Sequence, residues 1–287
     1  MKSIKLKAYG KINLGLDVLG KRDDGYHDLD MIMQSVDLHD VITITKNDSG
    51  EITVKSNTSK IPNDKSNLAY RAAKLLMEEF NIEKGVEIEI EKNIPISGGM
   101  AGGSADCAAV LKGMNKLFKL KLTEQQLMAR GVRLGADVPF CIMGKTARAE
   151  GIGEILTPTP NKLKGYLVIA KPPISVSTGF AYGQIDKVKI KNRPDTEGII
   201  EAIKENDLNS LSERICNVFE KVTIPEHREI EEIKTKLKDC GALNAMMSGS
   251  GPTVFGIFDE KKKAVEAIDC LKELDILEQL FLAKFVN

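Results

Sequence analysis

Residues 95 to 105 read Pro95-Ile96-Ser97-Gly98-Gly99-Met100-Ala101-Gly102-Gly103-Ser104-Ala105. They follow an alternating, strand-like run and lead into an amphipathic, helix-like one. Glycine tolerates positive φ and lets a ligand approach the backbone closely. A helix start adds unpaired N–H groups and the positive end of a macrodipole. That combination binds phosphate. It matches neither common nucleotide motif: Gly103, not lysine, precedes Ser104, and no G-x-G-x-x-G occurs. The plain alternative is a flexible strand-to-helix turn, but four glycines leading straight into a helix favour phosphate.

Two charged residues stand near backbone bends. Lys11, in Tyr9-Gly10-Lys11-Ile12-Asn13-Leu14, lies between two strand-like runs and by itself reads as an exposed strand lysine. Asp137, in Leu134-Gly135-Ala136-Asp137-Val138-Pro139, is placed just past a helix end, because Pro139 pushes Val138 towards extended backbone. Alone it reads as a turn aspartate bonding its own backbone. His39 and His227 lack a partner at metal-ligand spacing and read as structural. The five cysteines, Cys107, Cys141, Cys216, Cys240 and Cys270, include no C-x-x-C pair. They read as free thiols of a reducing cytoplasm. Cys107 lies near a helix start, which lowers a thiol pKa, whereas burial raises it; the sequence leaves the balance open.

The elements that must position these groups follow from periodicity. Ile4 to Ala8, Val41 to Thr45 and Val86 to Ile90 alternate as half-buried strands. A helix capped by Ser66 or Asn67 carries the stripe Leu68, Ala72, Leu75, Leu76, Phe80. A second begins at Ser104, and a third opens on the Thr123–Gln126 capping box and ends at Gly135. Thr157-Pro158-Thr159-Pro160-Asn161 is a loop, and a domain boundary is placed there, giving domains 1–156 and 157–287. Beyond it, a strand at Tyr166 to Ala170, helices around 196–219 and 226–239, a strand at Thr253 to Phe258, a helix near 260–273 and a strand at Leu280 to Val286 complete an α+β chain.

Composition narrows the function. Lys plus Arg and Asp plus Glu number 41 each, so no electrostatic footprint for nucleic acid or an anionic membrane exists. No segment approaches the roughly 18 apolar residues of a membrane span, and Lys11, Asn13 and Asp17 interrupt the N-terminal apolar stretch of any secretory signal. The expected partner is a small molecule, and the expected chain is cytoplasmic, a monomer or weak homodimer.

Taken together, the motifs resemble the GHMP kinases. The first is Ala8 to Leu14, continuing through Arg22-Asp23-Asp24-Gly25-Tyr26-His27; the second is Pro95 to Ala105; the third is Met247-Ser248-Gly249-Ser250-Gly251-Pro252-Thr253. The Asp137 segment and Ala149 to Glu154 also match. The resemblance implies an N-terminal domain like ribosomal protein S5 domain 2 that binds ATP, a C-terminal ferredoxin-like domain, and an active site between them. Within the family it is nearest the branch that phosphorylates the 2-hydroxyl of a cytidine-diphosphate-tagged methylerythritol, in the non-mevalonate isoprenoid pathway.

By that resemblance Lys11 and Asp137 form the catalytic pair, with Asp137 facing the hydroxyl and Lys11 holding its carboxylate. A carboxylate beside an ammonium is a weaker base, so Asp137 would orient the nucleophile more than deprotonate it. Pro95 to Ala105, with Asn67 and Leu68 at the adenine, would bind ATP, and Mg²⁺ would bridge its phosphates. The metal ligands stay unassigned, with Ser104 only a candidate. His27 and Tyr182 match positions that stack on cytosine, and Asn13 and Tyr26 match substrate contacts. Ser97 and Ala101 stand where some relatives carry glycine, and Ala101 should resist positive φ; Tyr182 stands where some have phenylalanine. The competing readings are a GHMP kinase for mevalonate, homoserine or a sugar, and a non-catalytic ATP sensor on the same fold.

Overall fold

The computed structural model describes residues 2–287. Its first two strands are long: β1 runs Ser3–Lys21 and β2 His27–Asn47. Then come β3 (Ile52–Ser56), α1 (Leu68–Glu79), β4 (Gly85–Glu91), α2 (Gly102–Phe118), α3 (Glu124–Val132) and α4 (Val138–Met143). The chain continues through β5 (Thr146–Gly151), β6 (Ile155–Pro158), β7 (Tyr166–Lys171), α5 (Thr178–Ile185), α6 (Thr196–Glu205), α7 (Leu208–Arg214) and β8 (Cys216–Asn217). It closes with α8 (Glu220–Thr223), α9 (Arg228–Asp239), β9 (Asn244–Met247), β10 (Val254–Phe258), α10 (Lys261–Leu271) and β11 (Gln279–Lys284). Among the described residues no helix is long and apolar enough to cross a membrane.

Packing divides the chain into two compact units that differ from the consecutive stretches 1–156 and 157–287. The first holds residues 1–10, 38–96 and 101–144; the second holds 11–37, 97–100 and 145–287. The reason is that β1 and β2 each contribute residues to both. Period-two alternation identifies such strands but says nothing of how far they run.

In the first unit β4 pairs antiparallel with Val41–Asn47 of β2 and parallel with β3. The alternation of β4 buries Val86, Ile88 and Ile90. Helices α1 and α2 pack together. Asn67 caps α1, its Oδ1 accepting from Ala69 N at 2.8 Å. The capping box of α3 is formed as expected, and the helix stops at Val132. Asp137 differs from expectation. It is the N-cap of α4 with Pro139 in the first turn, a position where proline's missing N–H costs nothing.

A buried charge cluster ties this unit together. The Lys92 ammonium donates to Asp40 of β2 and, at 2.9 Å, to Asp106 near the start of α2. Asp40 also accepts from the N–H groups of Asn93 (2.6 Å) and Ile94 (2.8 Å). All three charged side chains are at most 5% exposed, and Asp106 Oδ1 has no hydrogen-bond partner among the described residues. Burial pushes the Asp106 carboxyl up; Lys92 opposes the rise and Asp40 adds to it. Burial alone would lower the Lys92 pKa, but Asp106 and Asp40 carry it above its ordinary value.

The second unit contains Leu29–Gln34 of β2 paired antiparallel with β5, β6 on β5, and β8 parallel to β1 at Gly15 and Leu16. Its other sheet is antiparallel in the order β11-β7-β10-β9, with α9 packed on β9 and β10 and α10 on β7 and β11. Numbering those strands by chain order gives 4-1-3-2, the ferredoxin-like arrangement that the family resemblance implied. Residues 196–219 are not all helical, since β8 follows α7.

Not all five cysteines are the free thiols that the sequence leads one to expect: two of them are joined. Cys240, the C-cap of α9, is disulfide-bonded to Cys270 in α10, with Cα atoms 6.6 Å apart. Thirty residues separate them, and only the packing of α9 beside α10 brings them together. Cys107 is buried, and burial pushes its thiol up to about 12, with Arg71 opposing the rise and Asp106 adding to it.

Removing Lys92 leaves two buried carboxylates without a counter-ion, so Lys92→Met should cost about 3–5 kcal/mol of unfolding free energy. Asp106→Asn keeps the shape and an acceptor for Lys92 while removing the like charge beside Asp40. A carboxyl whose folded pKa is raised contributes stability at low pH that is lost as pH rises through that value. Urea midpoints at increasing pH should therefore fall for the wild type relative to Asp106→Asn; parallel curves would show that Asp106 is not perturbed.

Candidate functional site

The glycine-rich segment uses its freedom at alternate residues. Ser97 (φ 53°), Gly99 (φ 73°) and Ala101 (φ 56°) are all left-handed. Ala101 was expected to resist this conformation, yet it adopts it as the N-cap of α2. No side chain caps α2, whose ladder begins with Ala105 N donating to Ala101 O. The N–H groups of its first turn are thus those a helix leaves to a ligand. The helix starts at Gly102, two residues before the expected Ser104, because a left-handed residue at 101 turns the chain directly into helical geometry.

Gly99 sits where no side chain fits. A Cβ there would collide with the Ser248 carbonyl oxygen. Ser248 Oγ in turn donates to the Gly99 carbonyl at 3.0 Å. The loop's Met100 carbonyl accepts from Lys11 N at 3.1 Å. Residues 97–100 are therefore held by the first and third sequence motifs.

Lys11 is an interior residue of β1 and only 5% exposed. Lys11 and Asn13, two apart on a strand, face the same way. The Lys11 ammonium donates to Asn13 Oδ1 at 2.7 Å, and that oxygen also accepts from Gly249 N at 3.1 Å. Asn13 is fully enclosed, and its Nδ2 reaches Met31 Sδ at 3.5 Å. In this structure the Asn13 carboxamide grips Lys11.

Asp137 is half-buried, with no bond from its side chain to the helix it caps. The segment before it lies beside the start of α2: a Cβ on Gly135 would sit 3.9 Å from Ser104 Oγ. Leu68 reaches the same region, with its Cδ1 3.7 Å from where a Gly103 Cβ would be. Asn67 is occupied as the α1 cap and by its Nδ2 bond to Pro62 O at 2.6 Å. Pro95, Gly98, Met100 and Ala105 are buried; Ile96 and Gly102 are half-buried, and Gly103 is exposed.

The turn between β1 and β2 explains Arg22 to His27. Arg22 N donates to Tyr26 O at 2.8 Å, and Gly25 takes φ 87°, which glycine alone tolerates readily. Alternation then places Tyr26 outward, 59% exposed, and His27 inward, 7% exposed. The His27 and Tyr182 rings stack on each other, 5.0 Å between centroids at 29°. A base between them would hold them about twice a stacking distance apart. In this structure the two rings form one block, and Tyr26, next to His27 in the chain, is exposed. Asp186, the C-cap of α5, accepts from His27 Nε2 at 2.8 Å, and Phe219 meets Tyr182 edge-on at 4.9 Å.

Asp186, Asn217, Phe219 and Glu220 were not identified from sequence. Each acts through a partner remote in the chain, and none lies in a glycine-rich or periodic pattern. The one available signal was the polar Asn217 within Ile215-Cys216-Asn217-Val218-Phe219.

The comparisons with known proteins agree with these motifs. The GHMP kinases N terminal domain profile matches residues 67–145, and the GHMP kinases C terminal profile matches 199–276. The 4-diphosphocytidyl-2-C-methyl-D-erythritol kinase of Alkaliphilus metalliredigens is 50% identical over 96% of this chain and 94% of its own. The protein of the same name from Lachnoclostridium phytofermentans is 49% identical over 99% and 98%. A crystal structure of 4-(cytidine 5'-diphospho)-2C-methyl-D-erythritol kinase superposes with a TM-score of 0.84 at 29% identity, covering 99% of this chain and all of that one. With profile matches at both ends and relatives sharing half its residues along nearly its whole length, the chain belongs to the GHMP kinase family.

Proposed function

We propose that this chain transfers the γ-phosphoryl group of ATP to the 2-hydroxyl of 4-diphosphocytidyl-2-C-methyl-D-erythritol, giving the 2-phosphate and ADP in the non-mevalonate isoprenoid pathway. The observation that carries phosphoryl transfer is the start of α2, where a left-handed loop opens an uncapped helix. The relatives' names supply the acceptor. Kinases for mevalonate, homoserine or sugars have no base to recognise and no use for the Tyr26, His27 and Tyr182 group. A non-catalytic ATP sensor has no use for a lysine held as Lys11 is.

The residue roles follow from chemistry. Phosphoryl transfer has a loose transition state, so positioning and charge stabilisation dominate. Pro95 to Ala105 holds the ATP phosphates with backbone N–H groups, and Leu68 and Asn67 border the adenine. Lys11 supplies positive charge at the transferring group, and Asp137 orients the acceptor hydroxyl. Mg²⁺ would be carried on the ATP phosphates, where it would supply charge neutralisation. Among the described residues no three acidic, histidine or cysteine side chains gather as a metal cage, and Ser104 is the candidate hydroxyl. Tyr26 supplies the stacking face for cytosine. His27, its Nε2–H directed at Asp186, presents its other nitrogen to a polar edge. The stretch 1–156 carries the ATP and catalytic residues, and 157–287 adds Tyr182 and the third motif. The enzyme works in the cytoplasm as a monomer or weak homodimer.

A coupled ADP-release assay tests the reading. Release should rise with the cytidine diphosphate methylerythritol acceptor and not with mevalonate, homoserine or galactose. Asp137→Ala should lower kcat by about 10²–10⁴-fold while nucleotide binding persists; full turnover would remove Asp137 from catalysis. Tyr26→Ala should raise KM for the cytidine acceptor by about 5- to 100-fold, the loss of one stacked base, with little change for ATP. Equal shifts for both substrates would reject base stacking.

A further inference from the structure

The third motif is held partly by its own backbone, Ser248 N donating to Thr253 O at 2.9 Å and Gly251 N to Ser248 O at 3.0 Å, and partly by residues outside it. Asn217, 3% exposed, donates from Nδ2 to both the Met247 and Gly249 carbonyls, each at 2.8 Å. Its Oδ1 accepts from Phe219 N at 3.0 Å, so both sides of the carboxamide are used. The backbone of Asn217 is fixed by parallel pairing of β8 with β1, Leu16 opposite Asn217. Glu220 adds a third hold, accepting from Met247 N at 2.8 Å. Gripping the carbonyls on both sides of Ser248 fixes the bend in which Gly249 takes φ 58°. That bend directs Gly249 N at Asn13 Oδ1, the oxygen that also holds the Lys11 ammonium.

We propose that Asn217 is a positioning residue for phosphoryl transfer, acting on Lys11 through Gly249 and Asn13. The proposal rests on the catalytic role given to Lys11 above. If the carbonyls of 247 and 249 are released, Gly249 N swings away, and Asn13 is free to rotate about its remaining bonds. The ammonium then loses its place, and misplacing a reacting group by about 1 Å can cost 10²-fold in rate.

Asn217→Asp tests this in the full-length chain. It preserves volume and the Phe219 N contact but sets carboxylate oxygens against two carbonyl oxygens. The expected result is a kcat lower by about 100-fold with KM for ATP little changed, because ground-state binding is not the lost interaction. Asn13→Ala should give a similar loss. The double variant should be no slower than the worse single variant, because residues acting through one chain are non-additive. A second readout needs no acceptor: acylation of Lys11 by an activated ester, followed by peptide mass spectrometry. Lys11 should label faster in both single variants while Lys92 stays protected, which excludes general unfolding. Should Asn217→Asp not fold, Asn217→Ser takes its place. Multiplicative losses, unchanged Lys11 labelling, or failure of both Asn217 variants to fold would overturn the proposal. If the wild type does not phosphorylate the cytidine acceptor, the functional reading fails instead, and the labelling still decides the role of Asn217.

Discussion

One carboxamide oxygen carries much of this structure's organisation. Asn13 Oδ1 accepts from the Lys11 ammonium and from Gly249 N, joining the first and third motifs at a single atom. Lys11 N meanwhile anchors Met100 O, and Ser248 Oγ anchors Gly99 O. The middle of the glycine-rich loop is therefore fixed from two directions by main-chain and hydroxyl contacts. A neutral acceptor suits this place. An amide oxygen orients an ammonium without neutralising it, so the positive charge stays available to a phosphate. A carboxylate there would hold the lysine more firmly and cancel its charge.

Rigidity in the phosphate loop comes from its surroundings more than from its composition. Two of its three left-handed residues, Ser97 and Ala101, carry a Cβ, and such conformations persist only where neighbours over-determine them. The contacts of Gly99 and Met100 do this for residues 97–100. Around the helix start, Lys92, just past β4, holds Asp40 of β2 and Asp106 of α2 with one ammonium. Ion pairs so buried add less net stability than their Coulomb energy suggests. Their directionality ties the N-terminal part of α2 to β2 and to the end of β4, while the left-handed Ala101 sets where the helix begins.

Local features were legible in the sequence, and long-range ones were not. The alternation of Val86 to Ile90, the Thr123–Gln126 capping box and the glycines ahead of α2 each depend on residues a few positions apart, so pattern alone located them. Lys11 and Asp137 were identified only through family resemblance, because an isolated lysine in a strand and an aspartate before a proline have ordinary explanations. The substrate residues were named from sequence, but their arrangement was not. His27 and Tyr182 stack on each other, and Asn13 is enclosed. The Cys240–Cys270 bond and the extent of β1 and β2 escaped for the same reason as Asn217: each depends on tertiary partners that no periodicity encodes.

The short stretch from Asn217 to Glu220 serves two ends at once. Asn217 and Glu220 hold the third motif, and Phe219 supports Tyr182 in its stack with His27. A replacement within these four residues would therefore be pleiotropic, disturbing chemistry and acceptor recognition together. Tyr26 has the opposite character: it projects from a hairpin tip with 59% of its surface exposed. On the stacking role proposed for Tyr26, evolutionary change in acceptor preference has an open route there and a closed one through the buried Phe219. The tip of a turn is thus the part of this enzyme most free to diversify while its phosphate chemistry is inherited intact.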